Sequence, residues 1–85
     1  MEGNDSRIKR ALFRAQHRGT KEMDFILGRF ADAELAGLGE AELDAFEALV
    51  ISSDQQIDGW IKGEEPPAAM KPTVLRIRRF HRLES

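Results

Sequence analysis

Apolar residues recur along this chain at the three- and four-residue spacings of helices that each bury one stripe. Ile8, Ala11, Leu12 and Ala15 make the first stripe, with Arg7, Arg10, Arg14 and Arg18 on another face. Ser6 or Asp5 is placed to cap this helix, and Gly19 marks its end at a position that predicts a left-handed glycine. Thr20 is then a cap for a second helix, where Met23, Ile26, Leu27 and Phe30 repeat the spacing. Glu22 falls in its first turn, where the helix dipole favours a carboxylate, and Gly28 is expected to weaken it.

Leu35-Ala36-Gly37-Leu38-Gly39 breaks the pattern, and Gly39 with Glu42 predicts the start of a third helix carrying Leu43, Phe46, Leu49 and Val50. After Ser52, either Ser53 or Asp54 caps a short fourth helix with Ile57, Trp60 and Ile61, which Gly63 closes. At i+3 from Ile57, Trp60 is expected in the core and not at a contact surface. Glu64-Glu65-Pro66-Pro67 reads as a stiff exposed linker before a last helix outlined by Met70, Val74, Ile77 and Phe80, with Pro72 in its first turn. No segment alternates with a period of two. The fold class is therefore all-α: a compact five-helix bundle in a single small domain over residues 1–85, its core from about 6 to 82 and its ends loose.

Composition narrows the functions available. An 85-residue chain cannot enclose a large cofactor pocket, and with no cysteine there is no disulfide, thiolate metal site or thiol nucleophile. The apolar runs are too short to cross a bilayer, and the polar N-terminus resembles neither a secretory signal nor a cationic presequence, so a cytoplasmic location is expected. Net charge is −2, but its distribution is segmented: eight acids and no Lys or Arg lie between Phe30 and Ile61, with arginines on both flanks.

The chemistry-bearing residues do not assemble into a catalytic pattern. The serines lie at caps or termini without a Gly-x-Ser-x-Gly elbow. His17 and His81 each lack a second ligand at helical spacing, so no metal site is expected. Glu40, Glu42, Asp44 and Glu47 read as a solvated face, and Gly37-Leu38-Gly39 has no preceding strand to cradle a phosphate. No enzyme is implied. Arg76, Arg78, Arg79 and Arg82 with the first-helix arginines could follow a phosphate backbone, which leaves an antitoxin-like or nucleic-acid-associated adaptor as the competing reading. The acidic balance and the lack of a helix-turn-helix pattern speak against nucleic-acid binding.

Arg18-Gly19-Thr20-Lys21-Glu22 resembles the Arg-Gly-x-x-Glu signature of the succinate dehydrogenase assembly factor 2 family, the small flavinylation factors. The similarity continues through Met23-Asp24-Phe25-Ile26-Leu27, the block from Leu38 to Leu49, Asp54, Ile57-x-x-Trp60-Ile61, Gly63, Pro67, and Val74 to Phe80, about Arg7 to Arg82 in all. The chain departs from the family at Asp54-Gln55-Gln56, where Asp-Pro-Asp is frequent, and at Thr20, where an apolar residue is frequent.

This resemblance implies a five-helix domain that binds the flavoprotein subunit of succinate dehydrogenase, and in some bacteria fumarate reductase, and promotes covalent FAD attachment to a histidine of that client. The FAD belongs to the client, and the factor has no cofactor, metal or catalytic residue of its own. It also implies Arg18, Gly19 and Glu22 as the partner-binding residues; by their own placement Arg18 closes the first helix and Glu22 opens the second, so the two flank the Gly19 corner and could present a paired charge to a partner. The free factor is expected to be a monomer that does not enter a membrane.

Overall fold

The computed structural model describes residues 2–83, and its first helix already breaks with expectation at the N-terminus. This helix, α1, spans Glu2–Gln16, so Asp5 and Ser6 lie inside it and neither caps it. An acid at Asp5 suits the positive end of a helix, and the chain continues helically past it. The loose ends expected at Met1 and at Glu84 and Ser85 lie outside the described residues. Four more helices follow: α2 (Lys21–Glu34), α3 (Glu40–Val50), α4 (Asp54–Ile61) and α5 (Lys71–Phe80), with single 3-10 turns at Leu35–Gly37 and Ala68–Met70. Among the described residues there is no strand.

From Thr20 onward the local stop and start signals act where the sequence placed them. Thr20 caps α2 through its hydroxyl, which accepts the Met23 N–H at 3.2 Å. Glu42 reaches back to the Gly39 N–H at 2.9 Å, the half of a capping box that a glycine cap permits. Of the two candidates for the α4 cap, Ser53 takes the role and exchanges bonds with Gln56, while Asp54 becomes the first residue of the helix. Gly63 ends α4 at φ +123, with Glu64 N–H on Gly59 O at 2.9 Å and Gly63 N–H on Trp60 O at 3.1 Å, a Schellman closure.

The stripes read from the sequence meet in one core, except that Ile8, Leu12 and Met70 are only half-buried against it and Phe80 is 37% exposed. Phe30 and Phe46 are fully buried with ring centroids 5.8 Å apart, and Leu27, Leu49, Ile57 and Ile77 are likewise sealed. Trp60 is 9% exposed, in the core as expected. Gly28 proves to be a packing position: it is buried, and a Cβ there would stand 3.3 Å from Gln16 Cγ, so its small size lets α2 lie close against α1 beside Ala15. Pro66 corrects the reading of an exposed linker, because it is buried where the chain folds back between α4 and α5.

Arginines knit the helices together. Arg7 holds both oxygens of Glu47, at 3.1 and 2.8 Å, and also Asp44, tying α1 to α3. Arg76 joins α5 to Glu34 at 3.0 Å and Glu42 at 3.0 Å, and Arg78 donates to the Ile61 and Leu83 carbonyls.

Candidate functional site

The corner between α1 and α2 carries the Arg18 to Glu22 segment, and it is locked to the α3–α4 turn by a single arginine and a single carboxylate. The Arg18 side chain is 9% exposed, with Nε on Asp54 Oδ1 at 2.8 Å. Its Nη1 donates to Val50 O at 2.6 Å and its Nη2 to Ser52 O at 2.9 Å. Val50 is the last residue of α3, a helix with no basic residue in its own last turn. Arg18 therefore supplies the cation that satisfies those open carbonyls and complements the negative end of the helix dipole.

Asp54 works in two directions. Its Oδ1 takes the Arg18 side chain, and its Oδ2 accepts the Gly19 backbone N–H at 2.8 Å. The backbone N–H of Arg18 is held in turn by Asp24 Oδ1, one turn into α2. These bonds fix the connector on both sides of Gly19.

The geometry corrects two expectations about this corner. Gly19 is not left-handed: among the described residues positive φ occurs only at Gly63 and Arg82. The reason for glycine is steric, since a Cβ at position 19 would stand 2.9 Å from Asp54 Oδ2, closer than real contacts allow. Nor do Arg18 and Glu22 present a paired charge to a partner. Arg18 is turned inward onto Asp54, while Glu22 is exposed and, among the described residues, its carboxylate accepts no hydrogen bond. Glu22 contributes its field to Lys62, whose ammonium is raised in pKa mainly by the hydrogen bond to Asp58, at 2.9 Å, with Glu22 a smaller cause.

Of the three residues implied by the resemblance, Gly19 and Glu22 thus face solvent and Arg18 shapes the corner from beneath. Asp24 and the bridging role of Asp54 were not foreseen. Beside the corner runs an open groove of about 500 Å³ along α2, lined by Lys21, Asp24, Phe25, Arg29 and Asp32, with Gln16 of α1 opposite. Phe25 is 53% exposed on its wall, with the Arg29 guanidinium 5.0 Å from its ring centroid. Among the described residues no group of three His, Asp or Glu side chains converges on a metal-sized site. No helix there is long and apolar enough to cross a membrane. Arg7, Arg18, Arg76 and Arg78 are all engaged within the fold, which removes four cations from any phosphate-tracking surface.

Fold and corner together define a small helical domain that presents a rigid, solvent-facing turn. The comparisons with known proteins place that domain in a family. The family described as flavinator of succinate dehydrogenase matches residues 9–81, and this chain belongs to it. It is 37% identical over 65 residues to succinate dehydrogenase assembly factor 2, mitochondrial, of Mycosarcoma maydis, a match covering 76% of this chain and 27% of the relative. It is 34% identical over 75 residues to FAD assembly factor SdhE of Acetobacter pasteurianus, covering 88% of this chain and 68% of the relative. A third relative, FAD assembly factor SdhE of Legionella pneumophila strain Lens, is 35% identical over 63 residues, covering 74% of this chain and 80% of its own. The chain thus spans about a quarter of the Mycosarcoma protein and most of the bacterial ones. No solved structure gives a significant match.

Proposed function

We propose that this protein is an assembly factor that docks on the flavoprotein subunit of succinate dehydrogenase and promotes covalent attachment of FAD to it. The observation that carries the reading is the family match across residues 9–81, which includes the Arg18 to Glu22 corner. The corner fits a docking role: Gly19 leaves the backbone uncovered, Glu22 offers an unbonded carboxylate beside it, and Arg18 with Asp54 keeps both in place. Holding the client so that its own histidine meets the flavin in a reactive geometry is a positional effect and needs no bond-forming residue from the factor.

On this reading the factor is a non-catalytic, cytoplasmic protein, monomeric when free, that contributes no cofactor, and fumarate reductase is a second client of the same chemistry. The test is covalent FAD on the succinate dehydrogenase flavoprotein, read by in-gel fluorescence in cells lacking this gene and complemented with wild type or Glu22→Ala. Fluorescence lost without the gene and restored by wild type alone is the expected result. Undiminished fluorescence without the gene would overturn the reading.

A further inference from the structure

Arg18 grips the two carbonyls that bracket Ile51, those of Val50 at 2.6 Å and Ser52 at 2.9 Å. The turn is braced on both sides of that residue, and Ile51 stands out of it 69% exposed, the most exposed large apolar residue among those described. One exposed isoleucine means little by itself. This one sits on a rigid backbone at the edge of an open groove of about 270 Å³ between α1 and α3, whose α1 wall is Arg10 and Arg14. The acid in that groove, Glu47, already gives both oxygens to Arg7. Arg10 and Arg14 reach Glu47 only through space, and among the described residues their guanidinium groups make no hydrogen bond or ion pair. On the neighbouring strip of α1, Phe13 is 60% exposed and stacked on His17 at 3.9 Å between centroids.

We infer that Ile51, flanked by Arg10 and Arg14, is a second docking contact, and that its occupant is an apolar recess edged with carboxylates on the flavoprotein client. This rests on the function proposed above and extends the docking surface from Gly19 and Glu22 across the Arg18–Asp54 clamp. A pre-set apolar side chain costs little ordering on binding, and unpaired cations beside it favour an acidic rim. Arg18 is then a positioning residue for both halves of the surface: it fixes the corner through Asp54 and displays Ile51 through the Val50 and Ser52 carbonyls. A nucleic acid fits less well, because the most exposed side chain of the patch, Ile51, is apolar and offers a phosphate backbone no donor.

The experiment is the affinity of the full chain for the purified flavoprotein subunit at low and high salt, by titration calorimetry. The variants are Ile51→Ser, the Arg10→Gln/Arg14→Gln double substitution, and Glu22→Ala, each with its melting curve. Ile51→Ser is expected to weaken binding about tenfold, as loss of an interface anchor does. The double arginine variant is expected to weaken it and flatten its salt dependence, and both should melt close to wild type because the altered side chains are exposed. Wild-type affinity in both, with Glu22→Ala weakened, would overturn the second contact and leave the corner standing. Weakened binding in both with Glu22→Ala unchanged would support this face and move docking away from the corner. Wild type failing to bind the flavoprotein, or binding a single-stranded oligonucleotide more tightly through Arg10 and Arg14, would overturn the inference.

Discussion

Asp54 accepts the backbone N–H of Gly19 at 2.8 Å across 35 positions of sequence, and that one bond accounts for the missing side chain at position 19. The carboxylate stands within 2.9 Å of where a Cβ would be and is held there by Arg18 on its other oxygen. Two opposing effects decide what Gly19→Ala does. Fewer unfolded conformations favour the variant by about 0.4 to 1 kcal/mol, while displacing a pinned neighbour costs about 1 to 3 kcal/mol. The second wins, so Gly19→Ala is expected to lower the melting temperature. In an Asp54→Ala background the obstacle is gone and the same substitution should be neutral or stabilising. A loss of equal size in both backgrounds would refute the steric account.

Asp54→Asn tests the carboxylate itself. An asparagine offers one acceptor oxygen where two donors converge, so either Arg18 Nε or the Gly19 N–H loses its partner. Arg18 is 9% exposed, and a nearly buried guanidinium deprived of its counter-charge is costly. The expected loss is about 2 kcal/mol, roughly 10 °C in melting temperature for a domain of this size. Melting by circular dichroism checks it, and an unchanged midpoint would show that the clamp does not hold the fold.

The division between what sequence could and could not reveal follows from how far each signal reaches. Helical periodicity is local, and so Leu43, Phe46, Leu49 and Val50 were legible as one buried face, as were the Thr20 and Gly63 signals. The Arg18 to Asp54 bond joins residues 36 apart, and nothing in the spacing of either announces the other. Without it Gly19 reads as a helix stop, the commonest job of a glycine there, and Arg18 as one more solvated arginine paired to the nearest acid. Pro66 misled for a related reason: prolines and acids in a row describe a stiff connector, but only the packing of α5 back onto α4 decides that one of them is covered. Asp24, half-buried beneath the Arg18 N–H, was hidden in the same way by its position in an otherwise ordinary first turn.

Glu22 separates binding from stability. It lies exposed in the first turn of α2, where a carboxylate helps the helix dipole by about 0.3 to 1 kcal/mol. Glu22→Ala should therefore melt within a few degrees of wild type. Its affinity for the flavoprotein subunit is nevertheless expected to fall at least about tenfold, the scale of an interface anchor. Retained binding in the folded variant would remove Glu22 from the docking surface.

Acid should loosen the bond between α1 and α3 at Glu47. The hydrogen bonds from Arg7 hold the Glu47 carboxyl below the usual carboxylate range, with the charges of Arg7, Arg10 and Arg14 adding to the effect, and Arg7 is correspondingly raised. A depressed folded-state pKa contributes stability that is present above the ordinary glutamate value, about 4.3, and is lost as pH falls through the lower folded value. Glu47→Gln removes that contribution at every pH. At pH 7 the variant is expected to melt below wild type by on the order of a few °C, since the pair is largely solvent-screened. As the pH drops from about 4.3 the wild-type advantage should shrink, because wild type then also carries a neutral side chain there. Melting curves of both proteins at pH 7 and in strong acid decide it: a gap of the same size at both would mean that Glu47 contributes by shape and packing, and not by its charge.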